Sequence, residues 1–95
     1  MREYEVTVIF QPKLSDDERT ELIERVTGWL TFGEEEADKP VPDHWGLRKM
    51  AYDIDDHSEG YYILYNAKLD PLQIHEIERN MLYTEDVLRY LVLRK

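Results

Sequence analysis

The chain contains no cysteine. That excludes disulfides, thiolate metal sites and thiol nucleophiles together, and it fits a reducing compartment. No apolar run approaches the roughly 20 residues a membrane-spanning helix needs. The opening Met1-Arg2-Glu3-Tyr4 carries no apolar signal segment, so a cytoplasmic location is expected. There is no glycine-rich phosphate loop. Cations are scarce: 12 Lys and Arg stand against 21 Asp and Glu, a net charge of −9. A chain this acidic is not expected to hold nucleic acid alone, since that affinity comes from Lys and Arg on phosphates.

Catalytic signatures are missing as well. His44, His57 and His75 are expected on a loop, a turn and a helix, with no metal-ligand spacing among them. The acidic pairs fall at caps and turns, where helix polarity and solvent account for them without a catalytic carboxylate pair. Ser15 and Ser58 read as a cap and a turn residue, outside any nucleophilic arrangement. Neither an enzyme nor a cofactor or metal site is expected.

What remains is substantial. A hydrophobic fraction of 42% over 95 residues predicts a core and one domain, residues 1–95. From Glu3 to Phe10 the chain alternates, with Tyr4, Val6, Val8 and Phe10 on one face of a half-buried strand. Ser15-Asp16-Asp17-Glu18 is a capping box, and Leu22, Ile23, Val26 and Leu30 follow at helical spacing. Trp45 to Asn66 reads as a hairpin in the middle of the sheet, its strands joined by the polar turn Asp55 to Gly60. Asp70-Pro71 starts a second helix with buried stripe Ile74, Ile77 and Met81, and Val87 to Arg94 reads as a last strand.

Strand, helix, strand, strand, helix, strand is the split βαββαβ order of the ferredoxin-like α+β fold. It predicts a four-stranded antiparallel sheet with both helices on one face. If Val6, Val8 and Phe10 face the helices, the other face collects Ile9, Tyr62, Leu64, Leu91 and Leu93. Such a patch on a small acidic domain points to a protein partner.

Charge is unevenly spread. Residues 1–43 hold five basic and twelve acidic residues, whereas 44–95 hold seven and nine. Arg48 and Lys49 form the one cationic pair away from the ends. They have two readings: a charged edge strand that discourages strand addition, or phosphate contacts, with Arg2, Arg89 and Arg94 contributing. Tyr61, Tyr62 and Tyr65 invite comparison with RNA-recognition modules, which stack bases on exposed aromatics. Gly60 to Tyr65 lacks the basic lead residue of that motif and the small residue between its aromatics, and Tyr65 is expected in the core.

Four stretches carry a family likeness: Met1-Arg2-Glu3-Tyr4-Glu5, Trp45 to Ile54 (WGLRKMAYDI), Glu59-Gly60-Tyr61-Tyr62, and Glu85 to Leu91 (EDVLRYL). In order and spacing they resemble the bacterial small-subunit ribosomal protein S-six family, over almost the whole chain. The resemblance implies the same fold and a non-enzymatic component of the small ribosomal subunit. It implies binding to small-subunit rRNA together with the basic ribosomal protein S-eighteen. It carries over Arg2, Arg48 and Arg89 as RNA contacts, with Lys49 beside them. Departures at Met50, Asp55 and Leu82 imply weak RNA binding by the chain alone. The competing expectation is a ferredoxin-like regulatory or small-molecule-binding domain that dimerises through its open sheet face.

Overall fold

Four apolar residues at period two set the first strand. In the computed structural model, which describes residues 1–95 apart from the side chain of Ala37, β1 runs Arg2–Phe10. Tyr4, Val6, Val8 and Phe10 are buried on one face of it. Helix α1 spans Asp16–Trp29, with Leu30 as its C-cap. Its capping box is closed on both sides: Glu18 N donates to Ser15 Oγ at 3.2 Å, and Ser15 N donates to Glu18 Oε1 at 3.0 Å. Each bond satisfies a backbone donor with no intrahelical partner. The expected stripe of Leu22, Ile23, Val26 and Leu30 is buried.

A 3₁₀ turn at Glu36–Asp38 leads to β2, Asp43–Ile54, and β3, His57–Leu69. Asp70 then accepts from Leu72 N at 3.0 Å, capping a 3₁₀ turn at Pro71–Gln73 that passes into α2, Ile74–Leu82. The last strand, β4, is Val87–Arg94. The strand order is β2-β3-β1-β4, and every pairing is antiparallel. This is the ferredoxin-like split arrangement expected from the sequence.

Both helices cover the face carrying Val6, Val8 and Phe10, joined there by Ile63, Tyr65, Ala67 and Leu69 of β3. The one buried polar residue of α1, Thr27, donates to Ile23 O at 2.7 Å and shares a 2.8 Å hydrogen bond with Tyr65 Oη. Tyr65 thus meets its hydroxyl's needs inside the core, and burial pushes its pKa up despite the Thr27 contact.

The hairpin departs from expectation in three ways. Its turn is only Asp55-Asp56, and both have positive φ, 49° and 66°. That is the geometry of a two-residue primed turn, whose twist matches the strands it joins. His57 to Gly60, expected in the turn, already belong to β3, with His57 opposite Ile54. Likewise His44 lies in β2 rather than on a loop. Finally, β2 is an edge strand and only β3 is central. Polar residues on an exposed strand have the same composition as a turn, which is why the boundary was misplaced.

Candidate nucleic-acid interface

Register decides which side chains share the open face. On β1 it carries Glu3, Glu5, Thr7 and Ile9. Ile9 lies opposite Tyr62 on one side and Arg89 on the other; Thr7 lies between Leu64 and Leu91; Glu5 lies between Asn66 and Leu93. On β2, Arg48 lies opposite Gly60, two residues before Tyr62, and so joins this face. The face parity assumed for the third and fourth strands therefore holds.

One member of the expected patch is not available to a partner. Ile9 is only 8% exposed. Gly60 has no side chain, and Ile9 fills the space: a β-carbon at Gly60 would lie 2.3 Å from Ile9 Cγ2. Met50 closes the same gap, its sulfur 3.6 Å from that point, and is itself 7% exposed. The remaining surface comprises half-buried Tyr62 and Leu64 and the outward Leu91 and Leu93, each 49% exposed.

The far part of the hairpin bends over this end of the sheet. Pairing between β2 and β3 breaks after Lys49 and resumes at Ile54, and such irregularities bend a strand. Tyr52 thereby reaches across to β4. Its hydroxyl accepts a hydrogen bond from Arg89 Nη1, and the Arg89 guanidinium lies 5.6 Å from the Tyr52 ring centroid. An equivalent pair stands on β2, where the Arg48 guanidinium lies 5.2 Å from the Trp45 ring. Arg48 Nε donates to Trp45 O at 3.4 Å, and Trp45 Nε1 donates to Asp43 Oδ2 at 3.1 Å. Arginine on an aromatic face is held in place while keeping donors for a carboxylate or phosphate. Sequence reasoning missed Trp45 and Tyr52 as supports. Their positions three before and four after Arg48 were visible, but the bend that aims Tyr52 was not.

Among the described residues the ion pairs are Arg19–Asp16 at 3.0 Å and Arg79–Glu76 at 3.7 Å. Neither Arg48 nor Arg89 has a carboxylate partner, so both charges are open to an incoming anion. The other predicted cations lie elsewhere. Lys49 sits opposite Glu59, one residue out of phase with Arg48, and points to the other side of the sheet. Arg2 lies seven residues from Ile9 along β1, about 23 Å at the rise of a strand, and is exposed at the opposite end. Arg94 is also at that end, opposite Tyr4.

Of the three tyrosines, Tyr65 is fully buried, as expected, and the aromatic comparison is corrected for Tyr61. Tyr61 lies on the helix side, half-buried, with the Arg19 guanidinium 4.4 Å above its ring and His44 Nδ1 2.8 Å from its hydroxyl. Only Tyr62 remains on the open face.

That face is polarised. At the Phe10 end it presents Arg48 and Arg89 with two aromatics. Toward the Arg2 end it presents Glu5 and Glu3 along β1, flanked by Leu91 and Leu93, with Lys68 opposite Glu3. The first end can take phosphate; the second offers apolar contact beside carboxylates, suited to a cationic protein.

Comparison with known proteins agrees with this fold. The family model for ribosomal protein S6 matches residues 3–94. The small ribosomal subunit protein bS6 of Thermoanaerobacter pseudethanolicus is 44% identical, covering 99% of this chain and 97% of that one. Its counterpart from Desulforudis audaxviator is 33% identical, covering 100% and 99%. The crystal structure of 30S ribosomal protein S6 from Thermotoga maritima superposes with a TM-score of 0.85 at 30% identity, covering 99% of this chain and 87% of that chain. On the match of almost its entire length, the chain belongs to the ribosomal protein S6 family of the small ribosomal subunit.

Proposed function

We propose that this chain is a structural, non-enzymatic constituent of the small ribosomal subunit, which binds small-subunit rRNA jointly with the basic ribosomal protein S-eighteen. The observation that supports it best is the pair Arg48 and Arg89, on one face, each held by an aromatic ring and neither paired with a carboxylate. Guanidinium groups in that state suit phosphate oxygens, which they meet with two parallel hydrogen bonds. Arg2 adds a separate contact at the other end of the sheet, and Lys49 one from the edge strand.

The net charge of −9 explains why a partner is needed. Repulsion between 21 acidic residues and the RNA backbone opposes binding by the chain alone. A cationic protein seated on Leu64, Leu91, Leu93 and Tyr62, beside Glu3 and Glu5, neutralises the acidic end and leaves Arg48 and Arg89 to the RNA. The chain then works in the cytoplasm, on the ribosome. Sucrose-gradient sedimentation of a cell lysate tests the assignment: the tagged chain is expected in small-subunit particles, and Arg89→Ala is expected to deplete it from them. A chain found only at the top of the gradient would contradict it.

A further inference from the structure

We propose that Tyr52 is a positioning residue for Arg89: by reaching across the sheet from the bent arm of the hairpin, it aims the Arg89 guanidinium at phosphate. This depends on the phosphate role of Arg89 given above. Tyr52 is the only residue in hydrogen-bond contact with Arg89 side-chain nitrogens among the described residues. Tyr52 is 58% exposed and makes no part of the core, so packing does not account for its place. A guanidinium carries five N–H donors. The tyrosine oxygen engages Nη1 and leaves the rest of the fork free. Without it, Arg89 extends from an edge strand with several freely rotating bonds, and that freedom is lost on binding.

The arm is built to deliver the ring. The break in pairing after Lys49 bends β2, and Met50 seats the bend on Ile9 through the space left by Gly60. Tyr52 therefore links strands at the two opposite edges of the sheet, β2 and β4. Arg48 stands at the root of the arm and Arg89 at its reach.

The test is a double-mutant cycle of Tyr52→Phe and Arg89→Ala, read as affinity for small-subunit rRNA with S-eighteen present. Tyr52→Phe keeps the ring and removes the acceptor. It is expected to weaken binding about fivefold, the net loss that one ordinary hydrogen bond carries. In the Arg89→Ala background it is expected to change affinity less than about twofold, because the residue it acts through is gone. The oxidation of Met50 by peroxide reports on the arm. Met50 is 7% exposed, between Met1 at 65% and Met81 at 0% as internal standards. Its slow rate is expected to persist in Tyr52→Phe. Equal weakening in both backgrounds, with Met50 oxidised faster, would make Tyr52 a structural tie and overturn the proposal. If Arg89→Ala weakens binding and Tyr52→Phe does not, the positioning role alone fails. If Arg89→Ala leaves binding intact, the phosphate role of Arg89 fails and the positioning role with it.

Discussion

At Gly60 a missing side chain shapes the open face of the sheet. Ile9 occupies its place, and a methyl group there would meet a branched side chain at 2.3 Å. Gly60→Ala is therefore expected to lower stability by about 1–3 kcal/mol, the usual cost of overpacking, measurable by urea denaturation. Tyr65 sets an alkaline limit. Its folded-state pKa is raised by burial above the ordinary 10.0. The stability linked to this group is thus complete below pH 10 and lost as pH rises through the elevated folded value. Tyr65→Phe is expected to flatten that part of the stability profile, seen in melts taken across the alkaline range. Residue by residue, the core was legible in the sequence because its positions repeat at fixed periods: Tyr4, Val6, Val8 and Phe10 on the strand, Leu22, Ile23, Val26 and Leu30 on the helix. Ile9 was assigned to the correct face but to the wrong exposure. Its burial depends on Gly60 and Met50, which are remote in sequence, and no local pattern announces such a meeting.

Among the elements, α1 and the hairpin contrast in how openly they declare their limits. The capping box names the start of α1, because Ser15 and Glu18 act only at a helix N-terminus. Glu18 has its pKa lowered, chiefly by the Ser15 backbone N–H and then by the Ser15 hydroxyl. A depressed carboxylate contributes stability above its ordinary value of 4.5 and loses it as pH falls through the folded value. Ser15→Ala is expected to reduce stability at neutral pH by about 1 kcal/mol and to reduce that acid sensitivity, both read by denaturant titration. The hairpin hides its turn. Asp55 and Asp56 both adopt left-handed backbone, which costs a residue with a β-carbon more than glycine. Replacing them by Asn-Gly, the preferred pair for this turn, is expected to raise the melting temperature. Polar residues on both sides of the turn obscured it in the sequence, while the helices, with caps at one end and apolar stripes along one side, were read nearly to their ends.

For the molecule as a whole, the proposed role rests on charge laid over topology. The order of elements implied the ferredoxin-like sheet, and antiparallel pairing then fixed which residues could share a face. That face was legible in outline, since parity follows from period two. Its polarity was not, because Arg48 and Arg89 fall at the same end of one face only when the hairpin lies on one side of β1 and β4 on the other. Arg2 shows the converse: resemblance grouped it with them, yet the strand holds it at the far end. The isolated chain, acidic and with Leu91 and Leu93 half exposed, is expected to sediment as a monomer and to form a one-to-one complex with its cationic partner; a tight homodimer indifferent to rRNA would favour a regulatory domain instead. The most direct measurement is the salt dependence of rRNA binding, with and without S-eighteen, for the native chain and for the Arg48→Ala, Arg89→Ala double variant. Binding is expected only with the partner present, and the double variant is expected to lower the slope of log affinity against log salt by about 2, one for each lost phosphate contact. Tight binding by the chain alone, or a slope that the double variant leaves unchanged, would contradict it.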